Sequence, residues 1–561
     1  MRTKRGRAHL FAAVVATGLA LVVSACGGGG GGGTTTGTSA SGKTFPQLKV
    51  VWGLTDYMDP GLSYRLESWQ LFQDVYIGLV VKAHVSCQTG DCTEILPGLA
   101  ESLPTSNSAG TDYKFTLRKG LKYSNGEAIK ASDFAFTIAR DFKLNSPGIG
   151  FFSNIVGIDA CEANPATCTA SSITGIVSDD SAGTIEIKLK TPESDFLYVL
   201  SIPFTSFVPS STPLTDTENP PPAASGPYYI ASYKPSHSFT AKRNPHWTKD
   251  ELGTSVPNGN PDEIVALLTD DNARSAQLIE SGEYMYDQNE LPITRLAALK
   301  QKYPNQIKFY STQSTYYWFM NEGKAPFNNL QARQAVNYAT DRKALVKLRG
   351  GLGLETQNFL PPSYAQYKEI NPYPYNLSKA KQLVQQSGTK GDHVDLYTIG
   401  DVEFDKAAGE YMQGVLESIG YDVQIHELSG DNYFTIVGNQ ATKADIGFTD
   451  WYEDYPYPSD WFYILLDGDT IKQEHNNNYG LVDFPDINEE IARLDALPPS
   501  EALSAKTNAA WAAIDNKLQT KYAATVPYLN ALLTSFFSSE MDVSCDIFTD
   551  SQDDPAQMCL K

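Results

Sequence analysis

Histidine and cysteine are both scarce in this chain of 561 residues, which contains seven of each. The histidines are scattered, and neither an H-E-x-x-H motif nor another two-histidine zinc spacing occurs. The G-x-S-x-G motif of serine hydrolases is also missing. The adjacent acids Glu453 and Asp454 are of the types that glycosidases use as acid and base, but neighbouring loop residues usually point apart. We therefore expect a protein that is not an enzyme and has no catalytic residues.

Positive charge is also in short supply. Lysine and arginine number 44 against 65 acids, which gives a formal charge of −21. The first 25 residues hold four basic groups and no acid, so the remainder carries 40 − 65 = −25. Nucleic acid and anionic lipid would repel such an acidic body. The composition therefore excludes nucleic acid as an expected partner.

Long hydrophobic runs are limited to one segment, Leu10–Val23, which is too short to be a good membrane span. A basic segment at residues 2–7 precedes it, and Val23-Ser24-Ala25-Cys26 follows, which matches the lipobox of bacterial lipoproteins. These features predict a lipoprotein signal peptide at residues 1–25, cleavage before Cys26 and acylation of the Cys26 thiol. The alternative is an ordinary cleaved signal peptide followed by an unrelated cysteine.

Residues 26–44 are rich in glycine, serine and threonine, and this composition predicts a flexible linker without a core. Residues 37–44 formally match the phosphate-binding pattern G-x-x-x-x-G-K-[ST]. That motif requires a preceding strand and a following helix. Here a glycine tract precedes it and a strand-like segment follows, so we interpret the match as accidental.

Once Cys26 is set aside, the cysteines form three pairs that are close in sequence: Cys87/Cys92, Cys161/Cys168 and Cys545/Cys559. An exported chain can form disulfides, and local closure predicts these three pairings among the many possible ones. His84, just before Cys87, raises the alternative of a zinc site. Because no second histidine or cysteine pair lies nearby, we predict no metal ligand and no cofactor.

The most informative stretch runs from Asp445 to Leu466 and combines aromatic with acidic residues. Its aromatic residues from position 451 to 463 are Trp451, Tyr452, Tyr455, Tyr457, Trp461, Phe462 and Tyr463. The acids among them are Glu453, Asp454 and Asp460. Rigid aromatic surface around fixed carboxylates suits a bound cation. The alternative is a packed loop whose rings belong to the core.

Two prolines, Pro456 and Pro458, forbid a regular helix or inner strand in the middle of this stretch. We therefore expect a short buried strand, Asp445–Phe448, leading to Trp451 and then a stiff loop. Ser459 is placed to cap the helix that follows.

Elsewhere the residue pattern alternates between strand and helix periods. Amphipathic or helical segments are expected at residues 69–81, 132–142, 273–281, 327–348, 378–386 and 408–419. Ser132 is placed to cap the second of these. Strands are expected at residues 48–52, 113–118, 184–189, 316–321, 394–399 and 421–425.

The strand–helix–strand order from Val394 to Ile425 predicts a parallel pair joined by a crossover. The charges of Arg333–Arg342 are interpreted as paired surface charges on a helix.

Several segments together resemble one protein family. They are P-G-L-A-E-S (97–102), Y-K-F-T-L-R-K-G-L-K-Y-S-N-G-E (113–127), A-S-D-F-A-F-T (131–137), S-G-P-Y-Y-I (225–230) and R-Q-A-V-N-Y-A-T-D-R (333–342). Trp451 followed by Asp454-Tyr455-Pro456 resembles a further landmark of that family. The resemblance is to the family 5 solute-binding proteins of ABC importers, the dipeptide- and oligopeptide-binding group. It runs from about Lys49 to at least Val526.

The resemblance implies an α/β, two-lobed periplasmic-binding-protein type II fold (cluster C) with an inserted extra subdomain and a hinge. The implied order is lobe I at 45–69, the inserted subdomain at 70–218, lobe I again at 219–308, lobe II at 309–510, and a return to lobe I at 511–561.

The resemblance also implies a ligand site. In peptide-binding members the position of Asp454 holds the ligand's α-ammonium and the position of Trp451 lines the pocket. Tyr455 is expected as a second wall, and Tyr64 and Arg65 match a loop that touches ligand from the opposite lobe.

Trp318 and Asn321 are also predicted to bind ligand. Some oligopeptide binders carry an arginine where this chain has Phe448. The carboxylate of a peptide ligand therefore needs another partner or is absent.

The function that follows from the resemblance is an extracytoplasmic substrate-binding lipoprotein of an ABC importer. It would capture short peptides in a cleft that closes and deliver them to a permease. The alternative is the same role for a non-peptide solute, such as an oligosaccharide or a metal chelate. A purely structural surface lipoprotein is a further alternative, which would need no cleft.

The expected partners are the ligand, the permease and ATPase subunits, and a membrane contacted through the lipid anchor alone. We expect a monomer on the extracytoplasmic face of the bacterial cell membrane, at the cell surface or in the periplasmic space.

Overall fold

The computed structural model of the protein describes residues 44–87, 91–216, 219–248, 255–549 and 552–561. The predicted signal peptide, Cys26 and nearly all of the predicted linker lie outside these residues. No helix in the described part of the chain is both long and apolar enough to span a membrane.

Helices are distributed along the whole described chain. Their bounds are α1 Leu66–Val75, α2 Ser132–Leu144, α3 Asp159–Ala163, α4 Phe196–Val199, α5 Asn272–Glu280, α6 Leu296–Lys302, α7 Leu330–Ala339, α8 Arg342–Leu348, α9 Leu377–Ser387, α10 Glu403–Ile419, α11 Gly430–Val437, α12 Ser459–Leu466, α13 Pro485–Asp495, α14 Pro499–Ala502 and α15 Ala505–Lys517.

Strands alternate with these helices. Their bounds are β1 Leu48–Trp52, β2 Val80–Lys82, β3 Ile95–Pro97, β4 Thr105–Ser106, β5 Asp112–Thr116, β6 Ile176–Asp179, β7 Thr184–Lys188, β8 Tyr228–Lys234, β9 Ser238–Arg243, β10 Glu263–Leu268, β11 Tyr286–Asp287, β12 Ile307–Ser311, β13 Ser314–Met320, β14 Gly353–Glu355, β15 His393–Ile399, β16 Asp422–Leu428, β17 Ile446–Tyr452, β18 Thr525–Phe537, β19 Met541–Asp542, β20 Phe548–Thr549, β21 Gln552–Asp553 and β22 Cys559–Leu560.

A mixed sheet of 12 strands organises the described chain. Its order is β16-β15-β17-β13-β18-β11-β1-β10-β9-β8, and β12 and β14 also pair with β18. Strand β18 lies in the middle of this order. Its first part pairs antiparallel with β13, and its last part pairs with β12 and β11. One long strand therefore connects the two halves of the sheet by hydrogen bonds.

The predicted strand–helix–strand unit is present. Strands β15 and β16 pair in parallel along their full length, and α10 connects them. The apolar side of α10 is buried, including Ala408, Met412 and Leu416. The helix ends at Gly420, whose φ of 112° is a conformation that glycine adopts without a steric penalty.

A separate four-stranded sheet, in the order β4-β5-β7-β6, lies within residues 105–188 and packs with α2. Tyr113, Phe115 and Ile187 are buried on it. Ser132 does not cap α2, because its hydroxyl and its backbone amide both donate to the Asp180 carboxylate.

The single helix predicted at 327–348 is wrong, because the structure divides it into α7 and α8. The break falls at Thr340, whose hydroxyl donates back to the carbonyl of Val336. The Asp341 side chain then accepts hydrogen bonds from the first amides of α8, at Lys343 and Ala344. Such a cap begins a new helix instead of continuing the old one.

The interpretation of Arg333 and Arg342 as surface charges is also wrong, since they are only 4% and 6% exposed. Arg333 forms an ion pair with Glu322 at 3.0 Å and donates to the carbonyl of Tyr522. Arg342 donates to the carbonyl of Pro527 at 2.7 Å. The planar guanidinium supplies several donors at once, so a buried arginine can satisfy carbonyls that the sheet leaves unpaired.

The six described cysteines form three disulfides with the predicted pairing, Cys87–Cys92, Cys161–Cys168 and Cys545–Cys559. The bridged cysteines are 5, 7 and 14 residues apart. Each bridge therefore fastens a local loop.

Candidate functional site

The stretch between β17 and α12 forms a compact turn that we call the acidic loop, residues 453–460. Strand β17 continues through Trp451, beyond the short strand expected from sequence. Pro456 and Pro458 then interrupt regular structure, as predicted, and α12 begins at Ser459. The acidic loop holds three buried acids, Glu453, Asp454 and Asp460. Buried carboxylates without matching cations are costly, so their partners determine what the loop can do.

Asp454 faces a tyrosine from a distant part of the chain. The hydroxyl of Tyr64 donates to its Oδ2 at 2.5 Å. Burial raises the pKa of Asp454 from 3.8 to about 7, and the Tyr64 hydrogen bond and the charge of Lys82 oppose this rise. Burial thus favours the neutral form of Asp454, and an added cation would favour the ionised form.

The loop that carries Tyr64 is built by local hydrogen bonds. The backbone amide of Tyr64 and the hydroxyl of Ser63 both donate to the Asp56 carboxylate, at 2.8 Å and 2.5 Å. A buried ion pair between Asp59 and Arg140, at 2.5 Å, fastens the same loop to α2. These contacts position the tyrosine hydroxyl before any ligand arrives.

Asp460 fixes the shape of the acidic loop. Its Oδ2 accepts hydrogen bonds from the indole nitrogen of Trp451 at 3.0 Å and from the amide of Asp454 at 3.1 Å. Its Oδ1 is buried and accepts no hydrogen bond. Burial, followed by the nearby charge of Asp454, raises the pKa of Asp460 well above its usual range. Asp460 thus orients Trp451 and Asp454, two of the residues predicted to contact ligand.

Glu453 turns away from Asp454 and contacts Tyr364. Its carboxylate accepts a hydrogen bond from the Tyr364 hydroxyl, which in turn accepts one from the indole of Trp461 at 2.8 Å. Burial raises the pKa of Glu453 to about 8, against the lowering effects of Tyr364 and Lys82.

Lys82, at the end of β2, is a cation of the described chain on which the charges of all three acids act. Burial lowers its pKa, and the charges of Glu453, Asp454 and Asp460 oppose that change. One lysine cannot balance three buried carboxylates. The remaining negative charge is removed by protons or matched by an external cation.

Side chains from residues 44–216 close over the acidic loop. Tyr64 stacks on Trp69 at 5.5 Å between ring centroids, and Phe151 meets Tyr455 edge-on at 6.3 Å. The hydroxyl of Ser459 donates to Asp195 and does not cap α12, so the predicted cap is wrong. A backbone hydrogen bond also connects residues 44–216 with the chain after the acidic loop, because the amide of Ser194 donates to the carbonyl of Asp495 at 2.9 Å.

Little open volume remains beside Lys82 in this conformation. A cavity of about 70 Å³ is lined by Lys82, Trp69, Ile77 and His84, among others. This space holds no more than a few water molecules, at about 30 Å³ each in the liquid. This cavity is therefore too small for a ligand of peptide size.

Four predicted ligand residues meet at this place: Asp454, Trp451, Tyr455 and Tyr64. Arg65 instead forms an ion pair with Glu67 at 3.4 Å, and its side chain is 43% exposed.

Two further predicted ligand residues perform structural roles here. Trp318 is fully buried and stacks on Tyr528 at 6.0 Å. Asn321 donates to the carbonyl of Ala444 and accepts from the amide of Gly323. Ligand contact by these two residues remains a prediction that the geometry does not favour.

Sequence reasoning missed Lys82 and Tyr364 as members of the site. Lys82 is one of 44 basic residues, and nothing local in the sequence distinguishes it. Tyr364 lies 89 residues before its partner Glu453. Only the fold brings them together.

Comparison with known proteins identifies the family. A sequence model of the bacterial extracellular solute-binding proteins, family 5, matches residues 94–473. The chain belongs to this family. As a family 5 solute-binding protein it belongs with transport proteins and not with enzymes, as expected from its sequence.

The family 5 protein is similar to several characterised relatives. It is 26% identical over 440 residues to the periplasmic oligopeptide-binding protein OppA of Salmonella typhimurium (strain LT2), covering 74% of this chain and 76% of that one. It is 24% identical over 439 residues to the dipeptide-binding protein DppE of Bacillus subtilis (strain 168), with the same coverage. Heme-binding protein A of Haemophilus influenzae is 27% identical over 344 residues, which is 58% of each chain.

Solved structures confirm the predicted two-lobed fold of the family 5 protein. The clavulanic acid biosynthesis oligopeptide binding protein 2 superimposes with a TM-score of 0.80 at 22% identity, covering 92% of this chain and 96% of that one. The periplasmic binding protein DppA of Helicobacter pylori, in complex with the peptide STSA, gives a TM-score of 0.75 at 21% identity, covering 92% and 98%.

Proposed function

We propose that this protein is the extracytoplasmic substrate-binding lipoprotein of an ABC importer and that it captures short peptides between its two lobes. The names of its relatives support a peptide ligand, since they include oligopeptide- and dipeptide-binding proteins. The observation that carries the proposal is the buried surplus of carboxylates in the acidic loop.

The ammonium of a peptide supplies the charge that this site lacks. Asp454 is buried, and its pKa of about 7 lies far above the ordinary value of 3.8 because of that burial. An ammonium beside it replaces the proton and restores the ionised form. The Tyr64 hydroxyl can remain a donor to the second oxygen, while Trp451, fixed by Asp460, offers its ring as a wall.

Opening and closing follow from the contacts across the site. The Tyr64–Asp454 and Ser459–Asp195 hydrogen bonds join the two sides and must break to admit a ligand. When the lobes close again, water is expelled and the polar contacts strengthen. A permease that binds the closed form then receives only loaded protein. The proposed lobe limits are 45–69, 70–218, 219–308, 309–510 and 511–561.

A non-peptide solute is the second candidate, and the likeness to heme-binding protein A favours keeping it. A neutral sugar would use the aromatic walls and have little use for the carboxylates. The deciding experiment is mass spectrometry of whatever copurifies with the folded protein. Peptide masses support the proposal, whereas a single sugar or chelate mass supports the alternative.

The proposed anchor is the acylated Cys26, joined to the body by the linker at residues 26–44. Replacing Cys26 by Ala should release the protein from membranes into the soluble fraction of its native host, because acyl chains provide the attachment. Fractionation and immunoblotting measure this. Membrane retention equal to that of the parent would contradict the anchor.

A further inference from the structure

The C-terminal segment, residues 552–561, is fastened to the N-terminal part of the described chain. Gln70 on α1 donates to the carbonyl of Asp553 at 3.0 Å, and Asn260 donates to the carbonyl of Gln557 at 2.8 Å. This contact contains a second group of buried acids, different from those of the acidic loop.

Three potential metal ligands meet in this contact: Asp74 from α1, His84 after β2, and Asp554 from the C-terminal segment. Their nitrogen and oxygen ligand atoms all lie within 4.8 Å of one another. The side chains of His84 and Asp554 are 5% and 0% exposed, and Asp74 is fully buried. His84 Nδ1 lies 2.8 Å from Asp554 Oδ2.

Asp74 is the member that requires an explanation. Both of its carboxyl oxygens are buried and lack a hydrogen bond of ordinary length and angle among the described residues, and the amide of Ala556 and the carboxyl of Asp554 lie beside them. A buried polar group without a partner is rare in folded proteins and costs free energy. A proton on the carboxyl, or a cation next to it, would remove that cost.

We propose that Asp74, His84 and Asp554 form a binding site for a divalent transition-metal ion of the zinc class. Two carboxylate oxygens and one imidazole nitrogen form a donor set that suits such ions, whereas calcium and magnesium prefer oxygen alone. Bonds of about 2.1 Å in a tetrahedral arrangement place ligand atoms roughly 3.4 Å apart. The three side chains therefore need to move inwards by only about 1 Å.

The surroundings of the three ligands are those of a supported metal site. Gln557 Nε2 donates to Asp554 Oδ2 at 2.7 Å, and the amide of Ala556 donates to Oδ1 at 3.1 Å. Such outer contacts orient a ligating carboxylate. His84 also lines the cavity of about 70 Å³ beside Lys82.

Other metal-ligating groups in the described chain are poorer candidates. Asp542 lies beside Cys545 and Cys559, but those two sulfurs form a disulfide and offer no thiolate. His393 is 51% exposed and pairs with surface aspartates.

A metal ion at the proposed site would hold the C-terminal segment against α1. Ligands that bind only the folded state stabilise it by mass action. The proposal therefore predicts a stabilising effect of the metal in the absence of any transport ligand. Zinc retention and melting are measured without any peptide, so either proposal can fail while the other stands.

The test uses the full mature chain, stripped with a chelator under non-reducing conditions and then given ZnCl₂ or CaCl₂. The matched control is Asp141→Asn, since Asp141 is another buried helix carboxyl whose two oxygens accept no hydrogen bond. We expect the parent and Asp141→Asn to retain one zinc per chain after gel filtration and to melt several degrees higher with zinc, but not with calcium. Asp74→Asn should lose both effects.

His84→Gln provides a second variant if Asp74→Asn fails to fold, and it should lose both effects as well. The proposal is overturned if the parent retains no zinc, which would leave a shared proton as the account of Asp74. Equal zinc retention by the parent and both site variants would also overturn it, because the ion would then lie on the surface. Stabilisation by calcium alone would refute the zinc-class assignment.

Discussion

Replacing Asp454 by Asn tests the charge of the acidic loop directly. The substitution keeps the size of the side chain and an acceptor for the Tyr64 hydroxyl, but removes the charge that would bind a peptide ammonium. An ammonium that is buried without its partner loses about 2–5 kcal/mol of binding free energy. The dissociation constant at pH 8 should therefore rise about 30- to 5,000-fold.

The pH dependence of peptide binding tests the same role of Asp454 in a second way. The rise in the pKa of Asp454 from 3.8 to about 7 corresponds to a cost of about 4 kcal/mol for ionising it in the free protein. A bound ammonium lowers that pKa, so the liganded protein holds fewer protons than the free one. Binding should accordingly be strongest between pH 7 and the pKa of the peptide amine, which is about 8, and weaken up to about tenfold per pH unit below pH 7. Asp454→Asn should lose this part of the slope, although Glu453, Asp460 and Lys82 also titrate nearby.

Isothermal titration calorimetry at pH 6, 7 and 8 measures both effects. The probe is trialanine or, if one copurifies, the peptide identified by mass spectrometry. Asp287→Asn is the matched control and should bind as the parent does, because Asp287 is another buried aspartate whose pKa burial raises to about 7, but it lies on β11 and contacts no residue of the acidic loop in the described contacts. If Asp454→Asn binds as tightly as the parent with an unchanged pH slope, the ammonium role of Asp454 is wrong.

Three further predictions concern the wall of the site and the stability of the fold. Trp451→Ala should weaken the binding of a peptide or a non-peptide ligand, because the ring that forms the wall is removed. An unchanged affinity in calorimetry would contradict this. In the parent, the free energy of unfolding should fall as the pH rises from 5 to 7. Glu453→Gln should reduce this slope by up to about 1.4 kcal/mol per pH unit, as measured by urea unfolding. The slope is negative because burial raises the pKa of Glu453 to about 8, so the folded state holds a proton that the unfolded state has lost. An unchanged slope in the variant would refute this prediction. Arg333→Gln should lower the free energy of unfolding by about 3–5 kcal/mol, because Glu322 would remain buried without its cation. A loss below about 1 kcal/mol would show instead that water or a proton compensates Glu322.

Local patterns predicted the regular elements well where they repeat over several turns. The periodicity of α10, with glycine at its end, predicted both the helix and the parallel strands beside it. The break between α7 and α8 was missed, because Thr340 and Asp341 are compatible with a helix until their side chains find backbone partners. The two buried arginines were missed for a related reason, since their acceptors are distant carbonyls.

The candidate site was predictable only in part. The resemblance to a family placed Tyr64 and Asp454 in one site, and the structure joins them across 390 residues of sequence. Nothing in a single sequence specifies that Lys82 faces the same acids or that Tyr364 holds Glu453. The cluster of Asp74, His84 and Asp554 was hidden for the same reason. His84 was considered only with its neighbouring cysteine, whereas its partners come from an earlier helix and from the end of the chain.

The position of β18 has a consequence for how the protein folds. The strand at the centre of the large sheet is residues 525–537, so β13 and β11 lack this common neighbour until nearly the whole chain has been synthesised. Pairings between residues so distant in sequence are slow to form, because a long loop must close first. Until then both halves present unpaired strand edges. The chain therefore cannot complete its sheet early in synthesis, and the two halves of the sheet stay unjoined until β18 has been made.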